Sequence, residues 1–412
     1  MSKRVIIIGG GASGMTAAIF AARQGAQVTL LEHMDRVGKK ILSTGNGKCN
    51  LTNRRMDASC YRSSVPEFPM EVLSWFGEPD AETFFEDLGI VLKDKSGYLY
   101  PASGQASSVL DALREELSRL GVKIVTECGS ETITAPDFRK DGKQEWLVSC
   151  EKGRFYADAV ILAAGSKAAP STGSDGSGYA LAKKLGHRMI HPLPALVQLR
   201  CRETFFKQVS GVRADACVSI WADGKKLASD QGELQLTDYG ISGIPVFQVS
   251  RFASEALSRE MKVKAVIDFY PELDRRELGR FLRERRQLLG ERCAEGFFTG
   301  WFNKKLALLF LRLAGISANG KVSDLTEKQL SELARLIKQF ETEITETNPF
   351  ANAQVCCGGV DVREVDPRTM ESKKRKGLYL AGELLDVDGI CGGYNLQWAW
   401  STGALAGIHG GR

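Results

Sequence analysis

The stretch Val5 to Gly14, VIIIGGGASG, constrains this chain more than any other. Four apolar residues run into glycines spaced G-x-G-x-x-G, and MTAAIFAAR continues without interruption as a helix-competent run. The pattern is strand, tight turn, helix. Gly9 permits the turn, Gly11 lets backbone approach a pyrophosphate, and Gly14 lets helix and strand pack closely. Ala12 and Ser13 lie between them, at a helix start whose N–H groups face phosphate. A second apolar strand, Gln27 to Leu31, ends in Glu32, an acid placed to accept from the ribose hydroxyls of an adenine nucleotide. Strand, glycine triplet, helix, strand and acid together predict an α/β fold of the Rossmann type that binds a dinucleotide.

With 412 residues the chain has material for two or three domains, and 43% hydrophobic with 25% charged residues is the balance of an ordinary enzyme. The start, MSKRVIIIGG, turns into glycine rather than a cleavage site, so no signal peptide is expected there. The apolar run Leu306 to Leu313 is interrupted by Arg312 and too short to span a bilayer. The expectation is a cytoplasmic protein with no membrane partner. Ten cysteines without a C-x-x-C pair and only four histidines argue against a disulfide scaffold and a metal site, and predict reduced thiols. The net charge of +5 is mild, and the basic clusters Arg283 to Arg286 and Lys373 to Lys376 carry no interleaved aromatics. They read as solvated faces rather than nucleic-acid grooves.

After Glu32 comes GKKILSTGNGKCNLTN, Gly38 to Asn53, whose glycines, lysines and small polar residues suit an anion-binding concavity. Here, and in VIIIGGGASG, the chain resembles the HI0933-like flavoproteins. Members of that family carry FAD and include enzymes described as aminoacetone oxidases and as bile-acid reductases. In the family the pattern GKKxLxTGxGxCNxTN wraps the FAD pyrophosphate and borders the flavin. The resemblance implies Lys40, Asn46, Gly47, Cys49 and Asn50 as FAD neighbours; packing is an equal alternative for Cys49.

Residues 66–120 read as helical, with Phe84, Phe85 and Leu88 on an apolar stripe. YPASGQASSVLDALREELSRLGVKIV gives a loop, a helix ended by Gly121, and a strand. The family resemblance extends through Y-P-x-S-x-x-A, but Gln105 stands where most relatives carry a basic residue. The backbone around Ser130 is expected to pass the adenine. DAVILAAG, ending in Gly165, reads as another buried strand, and the Gly-rich turn from Gly173 leads a further helix, against the flavin or simply as a helix cap with Asp175.

From His191 the texture changes to short alternating runs joined by turns such as Asp223-Gly224, which predicts antiparallel strands. GELQLTDYGISG, Gly232 to Gly243, is similar to a second family motif. Residues 271–335 then turn helical, with Leu306, Leu309, Phe310 and Leu313 on one stripe. AGELLDVDGICGGYN is similar to the family pattern A-G-E-x-x-D-x-x-G-x-x-G-G-Y-N and implies Gly382, Glu383, Asp386, Gly392, Gly393, Tyr394 and Asn395 at the flavin. The expected organisation is a discontinuous FAD domain, 1–190 plus 347–412, with an inserted β-rich substrate domain at 191–270 plus about 336–346 and a small helical domain at 271–335.

A single G-x-G-x-x-G leaves no dedicated nicotinamide domain, and the absence of C-x-x-C argues against a thiol relay. What remains is a flavoenzyme whose small-molecule substrate enters between domains. One reading is NAD(P)H-driven reduction of a C=C bond conjugated to a ketone in a steroid or bile-acid-like substrate, and the Gly-Gly-Tyr-Asn turn is similar to those of fumarate-reductase-like and ketosteroid flavoenzymes. Tyr394, Tyr239, Cys391 and His191 are its candidate proton donors, each with a structural alternative. A flavin amine oxidase acting on a small amine such as aminoacetone, and a flavin-bearing nucleic-acid- or partner-binding protein, are the alternatives. The sequence does not choose an oligomeric state.

Overall fold

Val5 to Ile8 form the buried centre of a five-stranded parallel sheet in a computed structural model that describes residues 2–136 and 145–412. The strand Arg4–Ile8 pairs with Gln27–Leu31 on one side and Ala159–Leu162 on the other. Lys123–Val125 lies beyond the first neighbour and Leu378–Leu380 beyond the second, all parallel. The inner strands are nearly continuous in apolar residues because both faces of such a sheet are covered. The order reverses at Arg4–Ile8, and ligands of open parallel sheets bind at the carboxyl ends beside such a reversal. Gly9 lies there.

Two helices cover one another at this sheet. Ala12–Arg23 crosses the eighteen-residue C-terminal helix Tyr394–Gly411 at backbone contact: a Cβ on Gly403 would fall 2.4 Å from the Ser13 carbonyl oxygen, and one on Gly407 2.4 Å from that of Ala17. Small residues four apart make a groove deep enough for the second backbone. The C-terminal helix is buried on nearly every side, and it carries no Asp, Glu, Lys or Arg, while its buried Gln397, Ser401 and Thr402 are hydrogen-bonded.

Residues 66–120 are not wholly helical. Phe68–Leu73, Glu78–Asp87 and Ala106–Arg119 are helices, but Leu92–Lys95 and Tyr98–Pro101 form an antiparallel hairpin. Ser96 and Gly97 turn it with positive φ at both residues, the geometry of a two-residue hairpin loop. Phe84 and Phe85 are buried as their spacing predicts, and Gly121 ends the third helix at φ +68. Cys128 and Cys150 are joined by a disulfide, which corrects the expectation of reduced thiols at that pair. No motif marks it, because the two residues meet only when the strand Trp146–Cys150 pairs with Ser130–Thr134.

Contacts along the chain divide it into Met1–Leu193 with Gln354–Arg412, and Pro194–Ala353. In the second unit six strands close an antiparallel barrel in the order Leu199–Cys201, Gly240–Gly243, Lys225–Leu236, Arg213–Ala222, Val263–Asp268, Phe340–Thr347. Asp223 and Gly224 make the predicted turn, with φ of 46° and 80°. The helical stretch 271–335 shares the barrel's hydrophobic core: Phe310 of the helix Lys304–Leu313 meets Phe269 at 5.4 Å, and Phe269 meets Phe340 of the barrel at 5.6 Å. Leu306, Leu309 and Phe310 are buried, while Leu313 is exposed. The helix Ile244–Ser258 is an addition to the predicted elements; Pro245 in its first turn and Val246, Val249 and Ala253 on its buried face are the signals for it.

Among the described residues no helix is long and apolar enough to cross a membrane, and no group of three or more His, Cys, Asp or Glu could hold a metal ion.

Candidate cofactor site

The glycine turn is closed on the protein side and open above it. Gly9 has φ +103, and a Cβ there would lie 2.4 Å from the Ala163 carbonyl oxygen; one on Gly14 would lie 1.8 Å from that of Gly9. A Cβ on Gly11 would meet nothing within 4 Å, and no side chain caps the helix that Gly11 starts. Its first N–H groups are therefore free of side-chain acceptors, as a phosphate site requires. Glu32 is buried and ties the crevice together: Oε2 accepts from Gly10 N–H at 2.7 Å and Oε1 from Met34 N–H at 2.8 Å.

The chain beside Glu32 is the run from Val125 to Cys128. Glu32 N–H donates to the Val125 carbonyl, and Cys128 N–H to the Glu32 carbonyl, each at 2.9 Å. Ser130 follows at the start of the strand Ser130–Thr134, and its side chain lies outside the described residues. Gly165 has φ +74 and abuts Ser174, and a Cβ on Gly173 would come within 3.7 Å of Glu32 Oε1. Asp175 caps the following helix by accepting from Ser177 N–H at 2.9 Å.

The lysine- and glycine-rich loop crosses the same end of the sheet. The Lys40 ammonium pairs with Glu383 Oε2 at 2.6 Å, and the Ser166 hydroxyl donates to the same oxygen at 3.0 Å. Gly45, Asn46, Gly47 and Cys49 all hold positive φ. Cys49 is fully buried, and burial pushes its thiol up to about 12, against a weaker opposing hydrogen bond from Thr44. That thiol is neutral, which favours the packing reading.

The C-terminal helix brings its start to this loop. Gly392 and Gly393 have φ of 127° and 94°, and no side chain caps the helix at Gly393. Gly382 is clamped from the same helix: its N–H donates to the Thr402 hydroxyl at 2.9 Å and its carbonyl accepts from the Trp398 indole at 3.1 Å. Asp386 accepts from Ser64 N–H at 2.9 Å. Asn395 is folded back on the preceding turn, exchanging hydrogen bonds of 2.8 and 2.9 Å with the backbone of Gly389. Asp386 and Asn395 thus shape the turn.

Of the four candidate proton donors, Tyr394, Cys391 and His191 belong to the cofactor unit and Tyr239 to the barrel unit. Tyr394 is buried, its ring edge-on to Tyr61 at 5.9 Å and its phenol against the Cys60 thiol; burial first, then that bond, raises its pKa. Cys391 is half-buried on the glycine turn, and His191 is exposed with its carbonyl against Gly358. Tyr239 belongs to the barrel unit, where its hydroxyl accepts from Asn348 Nδ2 at 3.1 Å under the Arg200 guanidinium.

Sequence reasoning missed Ser166, Thr52 and Gln397. Thr52 donates to Gln397 Oε1 at 2.6 Å, and Gln397 donates to the Gly77 carbonyl at 2.9 Å. A glutamine inside a helix without a single Asp, Glu, Lys or Arg was the available signal.

These residues fit an FAD. Above Gly11 a Cβ would meet open space, two helix starts lack side-chain caps, and the buried Asn50 Oδ1 has no partner within the protein. When bound, that group supplies hydride chemistry at its flavin ring.

Comparison with known proteins supports the same class. The chain is 48% identical over 407 residues, 98% of each chain, to the 3-dehydro-bile acid delta(4,6)-reductase of Clostridium scindens. It is 30% identical over 96% of each chain to the ribosomal RNA dihydrouridine synthase of Haemophilus influenzae. The protein of the same description in Escherichia coli is 28% identical, over 96% of this chain and 95% of its own length. The description "HI0933-like protein Rossmann domain" matches residues 3–409. With its glycine crevice and this match along nearly its whole length, the chain belongs to the HI0933-like family and is a flavoprotein oxidoreductase.

Proposed function

We propose that this protein binds FAD and uses NADH or NADPH to reduce a carbon–carbon double bond conjugated to a ketone in a steroid- or bile-acid-like substrate. The observation that carries this reading is the 48% identity, end to end, with a relative named as a 3-dehydro-bile acid delta(4,6)-reductase. The name of the more distant relatives supports the reaction class, because making dihydrouridine adds two hydrogens across a double bond that is also conjugated to a carbonyl. Substrates differ, while the bond chemistry is shared.

In this reading the Gly9–Gly14 turn and the first helix hold the pyrophosphate, and Glu32 takes the ribose. Lys40 and Glu383, braced by Ser166, fix the loop over the phosphates. The start of the C-terminal helix presents its N–H groups and dipole to the flavin carbonyl edge, where negative charge gathers on reduction. Tyr394, buried with its proton held, braces that helix start; Cys391, His191 and Tyr239 stay candidates for proton delivery.

The test is an anaerobic flavin spectrum. NADH or NADPH is expected to bleach the flavin, and a 3-oxo-4,6-diene bile acid to restore its absorbance. Bleaching by a small amine alone moves the protein to the oxidases. Restoration only by uridine-containing ribosomal RNA, weakening with salt, moves the substrate to nucleic acid. Either result overturns the steroid reading.

A further inference from the structure

Asn50 is 7% exposed, and its side-chain oxygen is buried without a hydrogen-bond partner. The three residues that follow are pinned to the C-terminal helix and the turn before it. The Leu51 carbonyl accepts from the Trp400 indole at 3.0 Å, Thr52 donates to Gln397 at 2.6 Å, and Asn53 Nδ2 donates to the Gly392 carbonyl at 3.1 Å. Asn53 Oδ1 also accepts, from Arg55 N–H at 2.9 Å. A segment fixed so thoroughly cannot swing Asn50 out to water, and a buried acceptor left unmade is costly.

Its position says what completes it. A Cβ on Gly393 would lie 3.0 Å from this oxygen, and Gly393 starts an eighteen-residue helix that no side chain caps. One acceptor therefore stands beside the free first-turn N–H donors of a long helix. On the other side, a Cβ on Gly45 would come within 2.9 Å of Asn50 N, and Gly45, Asn46 and Cys49 hold left-handed backbone around it. Such conformations persist where surrounding structure over-determines them, often at a ligand clamp.

An acceptor next to N–H donors complements a ring edge that offers one N–H beside one carbonyl. The flavin ring has that edge at N3–H and C2=O. We infer that Asn50 Oδ1 accepts the flavin N3–H while the start of the C-terminal helix takes the C2 carbonyl, which makes Asn50 a positioning residue that sets the ring's orientation. The inference rests on the FAD reading above and assigns one side chain within it.

The experiment compares FAD with its N3-methyl analogue, which lacks that N–H, in titrations of the full-length apoprotein followed by flavin fluorescence. Wild type is expected to bind FAD about tenfold more tightly than the N3-methyl analogue. Asn50→Ala is expected to bind FAD several-fold more weakly and to lose most of the discrimination, and Asn50→Asp, which keeps an acceptor, to retain it. Equal binding of both flavins by wild type overturns the assignment without any variant. Discrimination undiminished in Asn50→Ala overturns it as well, with the FAD reading intact. Failure of wild type to bind either flavin refutes the FAD reading itself.

Discussion

The Lys40 ammonium lies 2.6 Å from Glu383 Oε2, across 343 residues of sequence. Both side chains are mostly buried, and Ser166 supplies Glu383 with a second donor. Removing one member of such a pair strands the other, whereas replacing both removes the charges together. Lys40→Met is therefore expected to lose about 1–3 kcal/mol in urea denaturation, and Lys40→Met with Glu383→Gln to lose less. A double variant no more stable than Lys40→Met would show that the two charges are not coupled.

Two glycines separate cofactor binding from folding. Gly11 faces open space, so Gly11→Val is expected to leave the apoprotein within about 1 kcal/mol of wild type while the purified protein loses most of its flavin absorbance. Gly403→Val drives a side chain into the Ser13 backbone and is expected to cost roughly 3 kcal/mol or more, seen as insoluble or unfolded protein. A well-folded, flavin-replete Gly11→Val protein would remove the turn from the pyrophosphate.

Acid stability reports on Glu116. Arg119 first, then Arg23 from the first helix, holds its carboxyl down at about 2 against the opposing effect of burial. A folded pKa below the unfolded value gives stability that is complete above about pH 5 and lost as pH falls toward 2. Glu116→Gln should cost about 2 kcal/mol at pH 7 and progressively less from pH 5 to pH 3. Denaturant midpoints across that range check it, and a difference constant with pH would exclude the carboxylate as the cause.

Thiol mapping distinguishes packing from chemistry. At pH 7.5, N-ethylmaleimide is expected to modify exposed Cys293 within minutes and to leave buried Cys49 untouched until the protein unfolds, because its thiol is neutral. Mass spectrometry of the adducts decides. Native labelling of Cys49 would make it a reactive group at the flavin.

Local chemistry carried most of what the sequence revealed. Gly9, Gly14 and Glu32 act within one strand–turn–helix–strand unit, so their spacing could be read directly. The Ser96–Gly97 hairpin was equally local, yet the apolar residues around it suited a helical stripe and masked the change of period. Thr52 and Gln397 were not legible, because a buried polar pair 345 residues apart leaves no spacing rule at either end. Cys128 and Cys150 were not legible either, because only the pairing of the strands beside them brings them together. Motif resemblance located Tyr394 and Asn395 beside the glycine turn but could not say that one packs on Tyr61 and the other bonds backward to Gly389.

The groove of Gly403 and Gly407 over the first helix also sets an order of assembly during synthesis. Ala12–Arg23 leaves the ribosome before the barrel unit, while the helix that covers it, Tyr394–Gly411, emerges after that unit. All six strands of the barrel lie within the intervening unit, so that unit can close its hydrogen-bond ring while the dinucleotide crevice still waits for its second wall. Burial of the first helix thus waits until the barrel's sequence has been made, and a ribosome stalled before residue 394 holds every strand of the barrel but only one wall of the crevice.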